Sequence, residues 1–210
     1  MKKNYYAENR PEMLLYIPLD VKKILDVGCG LGNFGKLLKE RNNQCLVYGI
    51  EKNPTIAYEA SKNLDKVYTG DVIHVLSKIP DHYFEAVVFN DVLEHLIDPW
   101  TVMELISNKI VDRGIVVASI PNMRYIYVLR DLLINKEWKY LDAGILDKTH
   151  VRFFTIKSIK RLFEESGYLI DKIQGINGKV SWKWYLLNLL LFGKIEDTKH
   201  QQFAIVARYK

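Results

Sequence analysis

The chain has 210 residues, of which 49% are hydrophobic and 26% charged. That balance suits one globular domain with a full core and excludes a disordered tail, a fibrous repeat and a small disulfide scaffold. The formal charge of +5 is dispersed, with one dense patch at Lys157, Lys160 and Arg161, so the composition does not imply nucleic-acid binding.

Short apolar runs alternate with helix-length amphipathic segments, the pattern of a parallel sheet wrapped by helices. "KKILDVG" predicts a first strand and "FGKLLKERN" a first helix. "CLVYGIE" predicts a second strand, followed by a helix near "PTIAYEASKNL". "KVYTGD", "FEAVVFND" and "GIVVASIP" predict strands three to five. Residues 123–149 interrupt the alternation and are expected to form an insertion over a binding site. "IKSIKRLFEES" places Ile156, Ile159, Leu162 and Phe163 on one helical face, stopped by Gly167. "YLIDKIQGI" and "QQFAIVARYK" then predict two final strands that pair antiparallel. Residues 1–20 are expected to be an N-terminal lid or helix, and 181–193 an apolar helix. A core or lid position is the first expectation for that helix, ahead of a dimer contact or a membrane surface.

Cys29 and Cys45 lack metal-like spacing and fit a reducing compartment. The opening "MKKNYYAENR" turns polar at once, without a signal-peptide core, and the longest apolar run, "WYLLNLLLF", is too short to span a bilayer. A cytoplasmic protein without stable membrane insertion, monomeric or homodimeric, is expected.

"LDVGCGLGNFG" crowds Gly28, Gly30, Gly32 and Gly35 between the first strand and first helix, where glycines permit a sharp turn and close approach to a ligand. Gly30, Gly32 and Gly35 fit a dinucleotide pattern, but Asp26 would repel a pyrophosphate and welcome a cation. Glu51 closes the second strand, where an acid can accept two ribose hydroxyls. Asp71 follows the third strand, placed to meet an amino group. Three carboxylates around a glycine-lined crevice suit S-adenosylmethionine, which carries a sulfonium and an ammonium.

The ordered set Asp26-Val27-Gly28-Cys29-Gly30-Leu31-Gly32, Glu51, Gly70-Asp71 and "VVFNDVLEHL" resembles the class I S-adenosylmethionine-dependent methyltransferases, of the type 11, 12 and 23 kind. The resemblance covers nearly the whole chain. It implies an α/β, Rossmann-like fold with a seven-stranded, mostly parallel sheet, an antiparallel final strand and helices on both faces. It also implies cofactor contacts from Asp26, Gly28, Gly30, Gly32, Glu51, Lys52, Asp71, Val72, Asn90 and Asp91. "SIPNMRYIYVLRDLL" and "GILDKTHVRFFTIKSIKRLFEESGY" are similar to segments of surface-polysaccharide and small-molecule O-methyltransferases. In those enzymes a Tyr and an Arg near the N-terminus close over the cofactor, which makes Tyr6 and Arg10 candidates here.

A hydroxyl acceptor needs its proton removed, and His95 and His150 are the candidate bases. Asp91, Glu94 and His95 stand at i, i+3 and i+4, and with His150 they form a minority candidate for a divalent metal. This set resembles the E-x-x-E-H motif of small-RNA ribose methyltransferases, with Asp91 in place of a glutamate. Arg124, Arg130 and Arg152 are candidates for an anionic acceptor, or else for pairing with Asp131, Asp142 and Asp147 to hold the insertion. Trp138, Tyr140, Phe153 and Phe154 are candidates for stacking on a sugar. The reading is O-methylation of a small-molecule or saccharide acceptor, with no nucleic acid expected. The alternatives are metal-assisted ribose methylation of RNA and a non-catalytic binding subunit.

Overall fold

The computed structural model describes residues 9–210. Its seven strands are β1 (Lys23–Val27), β2 (Leu46–Glu51), β3 (Lys66–Thr69), β4 (Phe84–Asn90), β5 (Ile110–Pro121), β6 (Tyr168–Ile176) and β7 (Gln202–Tyr209). They form one sheet in the order β3-β2-β1-β4-β5-β7-β6. The first five pair in parallel, while β7 runs antiparallel to both β5 and β6.

Strand side chains alternate between the two faces, and the core splits accordingly. Leu25, Val87 and Phe89 face one layer with α3 (Val72–Leu76), α4 (Pro99–Ser107) and α6 (Ile156–Glu165). Ile24, Ala86 and Val88 face the other with α1 (Asn33–Arg41), α2 (Pro54–Ala60) and a 3-10 turn at Pro11–Tyr16. On α6 the expected stripe is buried through Ile159, Leu162 and Phe163, each worth about 1.5–3 kcal/mol. Thr155 and Ser158 cap its start reciprocally, and Gly167, at φ 83, follows its end.

The structure departs from the sequence reading in particular places. α2 stops at Ala60 rather than running on to Leu64, and β5 begins four residues early, with a register shift between Phe84 and Ala86. α3 escaped prediction because five residues carry little periodicity. Within 123–149 lies α5 (Ile126–Leu133), followed by an exposed loop closed by a bridge between Leu141 and Asp147. α7 (Trp182–Leu190) buries only Trp184, so it is no core helix. No helix among the described residues is long and apolar enough to cross a membrane.

β1 and β4 are neighbours whose connections leave toward opposite sides of the sheet order. Their carboxyl ends therefore open a crevice at the topological switch point.

Candidate active site

Asp26, next to last in β1, is 2% exposed, and its Oδ2 lacks a hydrogen-bond partner among the described residues. Burial, reinforced by the Glu51 charge, pushes this carboxyl up to about 7. A carboxylate so placed calls for a cation. Glu51 braces the glycine loop: its Oε2 accepts the Gly30 N–H at 3.1 Å and its Oε1 the Asn53 N–H at 2.8 Å. Burial raises its pKa, and those N–H groups only partly offset the effect.

Gly28, at φ 70, turns the chain out of β1, and its N–H donates to the Ile50 carbonyl at 2.8 Å. A Cβ there would stand 2.6 Å from Val92 Cγ2, so this glycine lets the loop after β4 press against the loop after β1. Gly32 also has a packing role. A Cβ on it would meet Leu64 Cγ at 3.1 Å and the Ala60 carbonyl at 3.2 Å, so it packs the loop on the end of α2. Asp71 caps α3 through Oδ1, which accepts the Ile73 N–H at 3.2 Å, while Lys52 Nζ lies 3.5 Å from Oδ2.

Asn90 ends β4 with both atoms of its buried amide unpartnered among the described residues. Asp91 takes a left-handed conformation at φ 54, and the chain continues as a 3-10 turn at Leu93–His95 instead of an α-helix. The expected shared face of Asp91, Glu94 and His95 therefore does not form. Asp91 instead accepts from Ser119 Oγ at 3.1 Å and Gln202 Nε2 at 2.8 Å, and its other oxygen pairs with Arg10. Arg10 is itself buried and also donates to Glu12 and Gln202. Tyr6 lies outside the described residues.

Glu94 is 1% exposed, and neither carboxylate oxygen has a hydrogen-bond partner among the described residues. Burial pushes it up to about 8. Its backbone carbonyl accepts both the Val151 and Arg152 N–H groups at 3.0 Å, which fastens the segment carrying His150 beside the turn carrying His95. The imidazole centroids are 4.6 Å apart. His150 Nδ1 lies 3.0 Å from the Ile145 carbonyl, and His95 Nδ1 lies 3.1 Å from that of Thr149. A carbonyl only accepts, so both rings carry the proton on Nδ1 and the lone pair on Nε2 when neutral. Burial lowers both pKa values, and His150's charge lowers that of His95 further, which favours the neutral imidazole in both. His150 Nε2 is 3.9 Å from Glu94 Oε1. Thr149 Oγ donates to Asp147 at 2.7 Å and sits 3.2 Å from His95 Nδ1, a link the sequence reading missed. The signal was present in "DKTH", where Asp147 and Thr149 flank the lysine.

These residues line one cleft of about 1950 Å³, larger than the roughly 300–1,000 Å³ typical of a single ligand. Asp26, Gly28, Gly30, Glu51, Lys52, Asp71, Val72, Asn90 and Asp91 form one half. Glu94, His95 and His150 lie beyond them. Gly32, Arg124 and Arg152 do not line it. Arg124 is bound bidentately by Asp197, at 2.6 and 3.3 Å. Arg152 donates from Nε to the Ile97 carbonyl at 3.1 Å and covers the Trp100 ring. Of the three arginines, Arg130 makes the pairing expected within the insertion, to Asp131 at 2.7 Å, while Asp142 holds Lys148 and Asp147 holds Thr149. Phe154 is buried, while Trp138 and Phe153 stack edge-on beside the cleft without lining it.

The geometry has counterparts among known proteins. The chain is 26% identical over 164 residues to a ubiquinone biosynthesis O-methyltransferase of Aeromonas salmonicida, covering 74% of this chain and 66% of that protein. It is 36% identical over 83 residues to a tRNA (guanine-N(7)-)-methyltransferase of Mycoplasma genitalium, covering 37% of this chain. It thus spans 66% and 39% of the lengths of these two curated relatives. A solved structure of a SAM-dependent methyltransferase from Archaeoglobus fulgidus superposes with a TM-score of 0.66 at 23% identity, over 99% of this chain and 94% of that one. At that identity the likeness speaks for the fold. A family model described as "Methyltransferase domain", type 23, matches residues 2–173. With that match over most of its length, and with the sheet order and acid-lined cleft above, the chain belongs to the class I S-adenosylmethionine-dependent methyltransferases, in the type 23 methyltransferase-domain family.

Proposed function

We propose that the whole protein transfers the methyl group of S-adenosylmethionine to a hydroxyl oxygen of a small-molecule or saccharide acceptor, with His150 and His95 serving the acceptor proton. The cofactor fits the residues present, since Asp26 and Asn90 offer buried, unpartnered polar atoms to its ammonium and sulfonium end. Glu51, Lys52 and Asp71, which line the same half of the cleft, would hold its ribose and base. In the reaction the acceptor oxygen attacks the methyl carbon and the sulfur leaves with the S–C bonding pair. The hydroxyl proton passes to an imidazole Nε2. The protein's share is alignment, desolvation and proton removal.

The observation that carries this reading is the pair of adjacent histidines with Nδ1 tied to carbonyls, lining the cleft beside the buried Glu94. An imidazolium formed there would be stabilised by Glu94 releasing its own proton. The test is transfer of labelled methyl from S-adenosylmethionine to a panel of hydroxylated sugars and phenols, with calorimetric binding of S-adenosylhomocysteine measured in parallel. His150→Gln is expected to lower turnover by about 10²–10⁴-fold while leaving cofactor affinity intact. No binding of S-adenosylhomocysteine, or transfer to oxygen unaffected in both His150→Gln and His95→Gln, would sink the reading.

A second reading is favoured by one further arrangement. Glu94, His95 and His150 each offer a ligand atom, and these lie within 4.8 Å of one another. That spacing and the mixed oxygen and nitrogen donors fit a divalent ion such as Mn²⁺ or Zn²⁺. When bound, such an ion would lower the pKa of an acceptor hydroxyl. Asp91 takes no part, being held by Arg10, Ser119 and Gln202. Dialysis against EDTA separates the two: turnover that survives it removes the metal, and turnover restored only by an added ion establishes it.

A further inference from the structure

α7 is amphipathic in the inverted sense. Trp182, Tyr185, Leu186, Leu189 and Leu190 recur at i, i+3, i+4, i+7 and i+8, which is the spacing of a core-facing stripe, yet every one of them is exposed. Leu189 and Leu190 are each 74% exposed. Phe192 follows in a left-handed conformation at φ 54 and is 90% exposed, an uncommon backbone state for a bulky side chain. The opposite side holds the helix to the domain through Trp184, whose Nε1 donates to Thr198 Oγ1 at 2.9 Å. A contiguous apolar face so anchored and so displayed marks an interaction surface.

The charges around it select the partner. Lys179, Lys183 and Lys194 are exposed and have no acidic partner among the described residues. The nearby acids are already held, Glu196 by Lys199 and Asp197 by Arg124. A two-fold contact between copies of this chain would bring these unpaired lysines toward one another. An anionic lipid surface would pair them instead, with the lysine stems lying along the apolar face and the ammonium groups at headgroup level. We infer that α7 docks the protein peripherally on an anionic membrane surface, its leucines and Phe192 entering the acyl boundary and Trp182 and Tyr185 at the interface. Tyr185 shares a small pocket with Tyr127, and Tyr127 also lines the main cleft, so docking sets the rim of the cleft beside the lipid.

The test is co-sedimentation of the full chain with vesicles of phosphatidylcholine alone and of phosphatidylcholine mixed with phosphatidylglycerol, at two ionic strengths. Binding to the anionic vesicles is expected, with a blue shift in tryptophan emission, and weakening as salt rises. Leu189→Glu/Leu190→Glu and Lys183→Glu/Lys194→Glu are each expected to weaken it at least about tenfold. All four positions are exposed, and unchanged circular dichroism and thermal midpoint verify that the variants fold. Absence of vesicle binding, or binding equal in the variants, would overturn the inference. Concentration-dependent self-association abolished by Leu189→Glu/Leu190→Glu, without vesicle binding, would also overturn it, in favour of a second copy.

Discussion

Two carboxyl groups in the cleft carry their cost in the ligand-free protein. Asp26 and Glu94 are both almost wholly buried, and burial lifts them to about 7 and about 8. Between roughly pH 4 and those values the unfolded chain ionises each acid while the folded chain keeps it protonated, so stability falls as pH rises through that window. Above it the full penalty is present. Asp26→Asn and Glu94→Gln are therefore expected to stabilise the ligand-free protein by roughly 1–3 kcal/mol at pH 8 and by little at pH 4. Denaturant unfolding at the two pH values checks this, and a gain of equal size at both would contradict it. The same ionisation governs the cofactor. An ammonium beside Asp26 favours its charged form, so affinity for S-adenosylhomocysteine should rise as pH increases toward about 7 and level off above it, with proton release on binding below that pH. Isothermal calorimetry in buffers of different ionisation enthalpy reads the released proton directly, and Asp26→Asn should abolish it. That an acid stood at position 26 was visible in the sequence; that its second oxygen lacked a partner was not, because partners are set by neighbouring strands.

At the scale of elements, the short segment 147–152 does more than its length suggests. It has no helix or strand of its own, yet two of its N–H groups dock on the Glu94 carbonyl and bring together histidines that are distant in sequence. Thr149 is the link, sharing its hydroxyl between Asp147 and His95. Thr149→Val keeps the shape and removes the hydroxyl. It is expected to lower kcat by about tenfold with little change in cofactor KM, and to shift the acidic limb of the pH profile, where the imidazole base is protonated, whereas Thr149→Ser should restore both. A loss in KM alone would show that the threonine only packs. The helices and strands were readable where periodicity was long, as in α6 with its buried Ile159, Leu162 and Phe163 and its stop at Gly167. The spacing of Asp91, Glu94 and His95 misled for a physical reason. One left-handed residue at Asp91 breaks the helical phase, and the interaction that holds it there comes from Arg10, far away in the sequence. Arg124 and Arg152 were misplaced for the same kind of reason, since Asp197 and the Ile97 carbonyl reach them only through the fold.

Across the whole molecule, Asp91 and Arg10 form a node rather than a pair. Through them and Gln202 the N-terminal segment, the end of β4, Ser119 of β5 and the start of β7 meet at the mouth of the cleft. Arg10 is buried, so removing Asp91 leaves a guanidinium whose remaining ion pair among the described residues is with Glu12. Breaking a buried pair from one side costs more than the pair itself is worth, because the survivor stays desolvated. Asp91→Ala and Arg10→Ala are each expected to destabilise the fold by about 2–4 kcal/mol, and the double variant by clearly less than the sum. A double-mutant cycle by urea unfolding measures the difference, and additivity would show that the two side chains act independently. Because the node closes the rim of the cofactor half of the cleft, the Arg10 variant should also weaken S-adenosylhomocysteine binding. The loss should be larger than in Lys52→Ala, whose ammonium lies exposed beside Asp71 and whose ion pair is worth at most about 1 kcal/mol. Equal losses in the two variants would mean that the rim contributes charge alone, and not the ordered closure that four converging segments provide.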